Sequence, residues 1–172
     1  MGRLAVREAV AAYFANAGLN YVGKVHEARP EVIQEQDYES SLFSEAVASS
    51  SGSSAVLVVN IPTDNRVRRA DTGRGAVNDS HIYKVAMEIY FANTSGVAEQ
   101  AQKDYDSIVD AMTNLVRADA TLDNPEVIWS AGEYEIGIEH EQGMPFTDAD
   151  GLTVFIYGVV SFDTYQWIAG NV

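Results

Sequence analysis

The chain contains no cysteine, only three histidines, and eleven lysines and arginines against 25 aspartates and glutamates. Each shortage excludes something. Without cysteine there is no disulfide framework, no thiolate nucleophile and no zinc site of the thiolate kind, which fits a reducing compartment. A formal net charge of −14 makes sequence-independent binding to nucleic acid or anionic lipid unfavourable. Purely apolar runs extend only a few residues, against the roughly 20 that cross a bilayer. The opening Met-Gly-Arg-Leu-Ala-Val lacks the basic-then-apolar profile of a signal peptide, and Val6 stands where myristoylation requires Ser or Thr. A soluble protein without export signal or lipid anchor is expected.

What is present is an ordinary globular balance over 172 residues, 47% hydrophobic and 21% charged, long enough for one well-buried core. Val6, Val10, Tyr13, Phe14 and Ala17 recur at helical spacing, and Gly18 follows where a left-handed cap belongs, so a helix is expected from about Arg3 to Ala17. Tyr21 to Val25 reads as a short strand. Residues 31–39 are ambiguous, Ser40 or Ser41 can cap a short helix through Val47, and the serine-rich stretch 48–54 reads as a flexible surface loop.

Ala55 to Ile61 is apolar on both parities, as in a strand buried on two faces, and Pro62 is expected to close it. Residues 62–80 read as a long charged loop. His81 to Phe91 then alternates with one apolar face, so two strands and a charged tip form an extended hairpin. Ser95 can cap a second helix to about Ala118, whose stripe is Val97, Ala101, Tyr105, Ile108, Val109, Met112, Leu115 and Val116. From Glu133 onward, Tyr134, Ile136 and Ile138 alternate with Glu133, Glu135, Glu139 and Glu141, a strand with one acidic face. Asp150-Gly151 marks a hairpin turn before an interior strand, Leu152 to Phe162. The order predicts a single α+β domain, 1–172: an antiparallel or mixed sheet with a long hairpin and two main helices packed on it.

No phosphate loop, dinucleotide fingerprint or nucleophile elbow occurs. Glu139-His140-Glu141 alternates on a strand, so His140 points away from both carboxylates. Asp148-Ala-Asp150-Gly151 matches part of a calcium loop, but Phe146 and Tyr157 occupy the first and last ligand positions, and a turn is expected instead. No catalytic, cofactor or metal site is expected. Arg66, Arg68, Arg69 and Arg74 place four of the eleven cations within nine positions. Read plainly, they decorate a solvated loop; read for function, their guanidinium forks reach carboxylates on a neighbouring copy. The acidic face of Glu133, Glu135, Glu139 and Glu141 is the complementary candidate.

The element order (helix Val6 to Phe14, hairpin Ala55 to Ile61 and His81 to Phe91, helix Val97 to Ala118, β pair Val127 to His140 and Leu152 to Phe162) resembles the tail terminator proteins of long-tailed bacteriophages. The resemblance covers nearly the whole chain and rests on order and pattern, with the serine-rich stretch as a departure. It implies a non-enzymatic virion protein, assembled in the host cytoplasm into a ring, a hexamer in that family, at the head-proximal end of the tail. Such a ring caps the tail tube, stops its polymerisation and presents a surface to the head-side connector. DNA passes through it unread, and an acidic lumen would repel the phosphates. A neck ring or head-to-tail connector component is the neighbouring alternative. From another class, a small-molecule-binding module or hydrolase would place a pocket between the second main helix and the sheet, with Tyr105, Trp129, Tyr157 and Trp167 as its lining.

Overall fold

The computed structural model describes residues 2–29, 35–50, 52–70, 77–132 and 137–168, and only the backbone at 35–39, 66–70, 77–80 and 167–168. Among these residues the fold is α+β, with three helices and a mixed seven-stranded sheet. Helix α1 (Arg3–Asn16) is followed by β1 (Val22–His26), α2 (Glu35–Ser49), β2 (Ser53–Ala70), β3 (Val77–Asn93), α3 (Ala98–Ala118), three short strands β4 (Ser130–Ala131), β5 (Glu139–Gln142) and β6 (Phe146–Thr147), and β7 (Val154–Ile168). The sheet order is β1-β2-β3-β7-β4, with β5 and β6 also on β7. β1 runs parallel to β2 and every other pairing is antiparallel.

Both faces of the sheet are covered, which explains why β2 is apolar on both parities. Ala55, Leu57, Val59 and Ile61 lie with Val85, Met87, Ile89, Phe91, Ile156 and Phe162 beneath α1 and α3. Val56 and Val58 lie with Tyr90 and Ala92 beneath Leu42, Phe43 and Ala46 of α2. Each such side chain fully withdrawn from water contributes roughly 1.5–3 kcal/mol. Two main helices were expected on the sheet; a third of comparable length, α2, covers the second face. It contains the short helix expected from Ser40 or Ser41 through Val47 and extends over residues 35–39 of the ambiguous segment and 48–49 of the serine-rich one, so only residues 50–52 separate it from β2. Gly18 does follow α1 with φ +63, the left-handed conformation its position anticipates. Ser95 does not cap α3, whose N-cap is Val97 with no side-chain hydrogen bond; the Ser95 hydroxyl donates instead to Asn93 Oδ1.

β2 does not end at Pro62, and 62–80 is not one long loop. Pairing with β3 runs from Ser53↔Asn93 to Asn60↔Ala86, slips by one residue, and resumes from Thr63↔Lys84 to Ala70↔Val77. Ile61 and Pro62 together oppose Val85, a β-bulge that accommodates a residue with no N–H to give the ladder. β7 follows β3 along this whole length, from Asn93↔Val154 to Asp79↔Ile168, so the extension beyond the bulge is three strands wide.

α2 is held to β1 by Glu45. Its two carboxylate oxygens lie 2.7 Å from Lys24 Nζ and 2.7 Å from His26 Nε2. Burial acts to raise its pKa, but the hydrogen bonds from Lys24 and His26 outweigh that and hold the carboxyl below its ordinary value. A carboxyl with a depressed folded pKa contributes stability above its unfolded pKa, and loses it as pH falls through the folded value. Because the pair is partly exposed, the contribution is about 1 kcal/mol or less. Between pH 5 and pH 3 the urea midpoint of the wild type is therefore expected to fall further than that of Glu45→Gln. Parallel falls would show that Glu45 takes no part.

Candidate functional site

The bulge displaces the arginines onto a strand. Arg66, Arg68 and Arg69 belong to β2 beyond Pro62, with Cα partners His81, Asp79 and Asn78 on β3. Arg74 lies outside the described residues. Three of the four predicted interface cations are thus ordered by sheet pairing at one end of the sheet, where a mobile loop was expected.

The acidic face is also relocated. Glu133 and Glu135 lie outside the described residues, and residues 137–138, before β5, are not in a strand. The outer edge of β7 carries three separate pieces, β4 against 164–165, β5 against 158–161 and β6 against 154–155. Gly132 and Gly137, both at φ +71, break the line between β4 and β5. Glu139 and Glu141 do sit on β5, whose four residues are all exposed. Glu139 Oε2 pairs with Lys84 Nζ at 3.2 Å, and Lys84 is in turn opposite Asp163 in the register. Burial raises the Asp163 carboxyl pKa, Lys84 opposes the rise and Glu139 reinforces it.

Between the two acids, His140 turns away as its alternation predicts and meets the α3 side. Its Nε2 is 2.9 Å from the Tyr105 hydroxyl. Tyr105 is fully buried, and burial first, then the charge of Asp106, raises its pKa. Gln102 of α3 and Gln142 of β5 exchange amide hydrogen bonds at 3.0 and 2.9 Å one step further along. The acidic edge strand is therefore fastened to α3 from beneath while its glutamates face out.

Three polar features went unread in the sequence. Glu88, 2% exposed, accepts hydrogen bonds from Arg29 Nη2, Asn60 Nδ2 and the Tyr90 hydroxyl. Asp104 accepts from Ser53 Oγ at 2.5 Å and Gln100 Nε2 at 2.7 Å, and Asn93 Nδ2 donates to that serine at 2.7 Å. This network joins α3 to the start of β2 and the end of β3. The third feature is Arg3 and Arg7, one turn apart on α1, which the loop arginines overshadowed.

Of the aromatic lining expected for a ligand pocket, the Trp167 side chain lies outside the described residues and the other three are dispersed. Tyr105 belongs to the core under α1 and α3, Tyr157 packs on the other face against the α2 cluster, and Trp129 is 56% exposed. A groove of about 420 Å³ lies elsewhere, between α1 and the chain following α3, lined by Tyr13, Asn16, Leu115, Asp119 and Asp123 among others. Asp119 is already occupied there by hydrogen bonds from Thr121 and from the Asp123 amide, which hold its carboxyl below the ordinary range. Asp148 accepts from the Leu152 and Thr153 amides, the turn that its sequence suggested. No helix among the described residues is long and apolar enough to cross a membrane.

No family model matches the chain, and no curated protein does. Seventeen chains of solved structures match. One belongs to the virion of the native gene transfer agent particle; it is 9% identical, with a TM-score of 0.38 over 96% of this chain and 100% of that one.

Proposed function

We propose that this chain is a structural protein of a phage-like virion, and in particular a tail terminator: a ring component that closes the tail tube and offers its outer face to the head. The observation that carries this reading is the placement of an arginine cluster and an acidic edge strand on two different parts of one sheet. Its long β2–β3–β7 extension carries arginine positions 66, 68 and 69, while the open edge strand β5 presents Glu139 and Glu141. A head-to-tail contact between unlike surfaces generates a ring when the rotation closes. The hairpin β2–β3 lies between α1 and α3 in the chain, in keeping with the element order on which the resemblance rests, while α2 is an addition to it.

In this reading the protein makes and breaks no bonds. It stops growth by covering the terminal ring of the tube with a surface that does not repeat the tube's own face. The chain's excess of acids lets DNA pass without adhering, since a phosphate backbone finds too few cations to exchange for its counterions. Tail tube protein, further copies of itself and a head-side connector are its partners.

Light scattering tests this with purified chain and short preformed tubes. Addition is expected to raise the particle mass by a fixed increment of several subunits per tube and then saturate. A chain that remains monomeric in the presence of tube contradicts the proposal, and binding to isolated head connectors alone would favour a neck component instead.

A further inference from the structure

Four of the chain's cations are consumed internally: Lys24 pairs with Glu45, Arg29 with Glu88, Lys84 with Glu139 and Lys103 with Glu99. Arg3 and Arg7 are not. Neither guanidinium has an ion-pair partner among the described residues, and the Nε of Arg7 is buried without a hydrogen-bond acceptor. They stand in the first and second turns of α1; the first turn carries no acidic residue, the helix dipole there is itself positive, and Glu8, beside Arg7 in the second turn, makes no ion pair with either among the described residues. An unpaired buried donor beside a second cation is costly unless something arrives to satisfy it.

The strands on this side of the sheet repeat the shortage. The register aligns Arg66, His81 and Gln166 across β2, β3 and β7, and aligns Asp64, Tyr83 and Thr164 in the neighbouring row. Gln166 is 1% exposed and its Nε2 has no acceptor, while the Tyr83 hydroxyl donates to its Oε1 at 3.4 Å. Arg3 is close enough for its charge to lower the Tyr83 pKa against the rise caused by burial and by Asp64. Asp64 is exposed on the strand and makes no ion pair with either arginine.

We infer that Arg3 and Arg7 at the start of α1 form a carboxylate-receiving surface, occupied by the acidic edge strand β5 of a second copy through Glu141. Donors without acceptors call for an anionic acceptor, and a guanidinium pair favours a carboxylate or phosphate fork. The chain's net charge of −14 disfavours a polyphosphate and makes its own surface the most abundant source of carboxylates. Glu141 is exposed on an open edge strand, and unlike Glu139 it forms no ion pair among the described residues. This inference rests on the ring reading and names one contact within it.

The test uses the full chain and its tail tube, with three forms: Arg3→Glu, Glu141→Arg and an equimolar mixture of the two. Both substitutions are at exposed side chains, and unaltered thermal melting would confirm that each folds. Each variant alone is expected to assemble at least about tenfold more weakly than wild type, the loss typical of reversing one member of an interfacial charge pair. The mixture, in which one contact in four regains an opposite-charge pair and another recreates it reversed, is expected to assemble better than either alone. Wild-type assembly by Arg3→Glu, or a mixture no better than its components, overturns the contact while leaving the ring intact. A gain of DNA binding at wild-type Arg3 that the variant abolishes would reassign the surface to phosphate. Wild-type chain that never associates sinks both the contact and the ring.

Discussion

Gly158→Ala is expected to destabilise the protein by about 3 kcal/mol, although alanine in a strand interior is ordinarily preferred to glycine by roughly 0.5–1 kcal/mol. The sign reverses because the hydroxyl end of Tyr105 abuts β7 at this point. A Cβ on residue 158 would stand 1.7 Å from the Tyr105 hydroxyl oxygen, 3.0 Å from its Cζ and 2.9 Å from the Glu141 carbonyl oxygen. The first contact is impossible, and Tyr105 is fixed by the core on one side and by His140 on the other. Tyr105→Phe alone gives up one hydrogen bond, about 1 kcal/mol. Combined with Gly158→Ala it removes the severest contact, so the double variant is expected to be more stable than Gly158→Ala alone. Urea unfolding of the four proteins checks this. An unchanged midpoint for Gly158→Ala, or no recovery in the double variant, would show that the tyrosine does not lie there.

The second large effect is expected at Asp104. Replacing it with alanine leaves the buried Ser53 hydroxyl without its acceptor and also removes the bond from Gln100, which is exposed and can turn to water. The expected cost is about 3 kcal/mol, the sum of one lost charge-assisted bond and an unsatisfied buried group. For a chain of this length that corresponds to a fall of roughly 6–12 °C in Tm. Asp104→Asn keeps an acceptor for Ser53 and is expected to lose less than half as much. Equal losses for the two would place the effect in helix packing and not in the network that ties α3 to β2 and β3.

How much of this was legible in the sequence depended on whether local pattern and tertiary contact agreed. α3 was legible because Ala101, Tyr105, Ile108, Met112 and Val116 bury one continuous stripe. β2 was legible up to Ile61 because both of its faces are covered. Pro62 misled, since a proline that ends a strand and one that seats a bulge read alike; the partner strand decides between them. α2 was legible only in its middle, as the short helix expected through Val47: among its described side chains the apolar contacts are Leu42, Phe43, Ala46 and Val47, too short a patch in a segment rich in serine and acid to show where the helix begins.

The candidate surfaces followed the same rule. Glu139 and Glu141 were placed on one exposed strand by simple alternation, but with Gly137 at φ +71 the strand they lie on begins only at Glu139. The arginine cluster was visible as composition, whereas its attachment to a paired strand needed the register with β3. Arg3 and Arg7 carried no local signal beyond two cations a turn apart. Their lack of partners emerges only from the structure, in which Lys24, Arg29, Lys84 and Lys103 are each paired with an acid.

The most direct measurement is the length distribution of tail tubes polymerised in the presence of increasing amounts of this chain, read from electron micrographs. A terminator predicts that mean length falls steadily as the chain-to-tube ratio rises, with a ring of uniform diameter on one end of each shortened tube. Tubes of unchanged length with bare ends at every ratio would contradict the account.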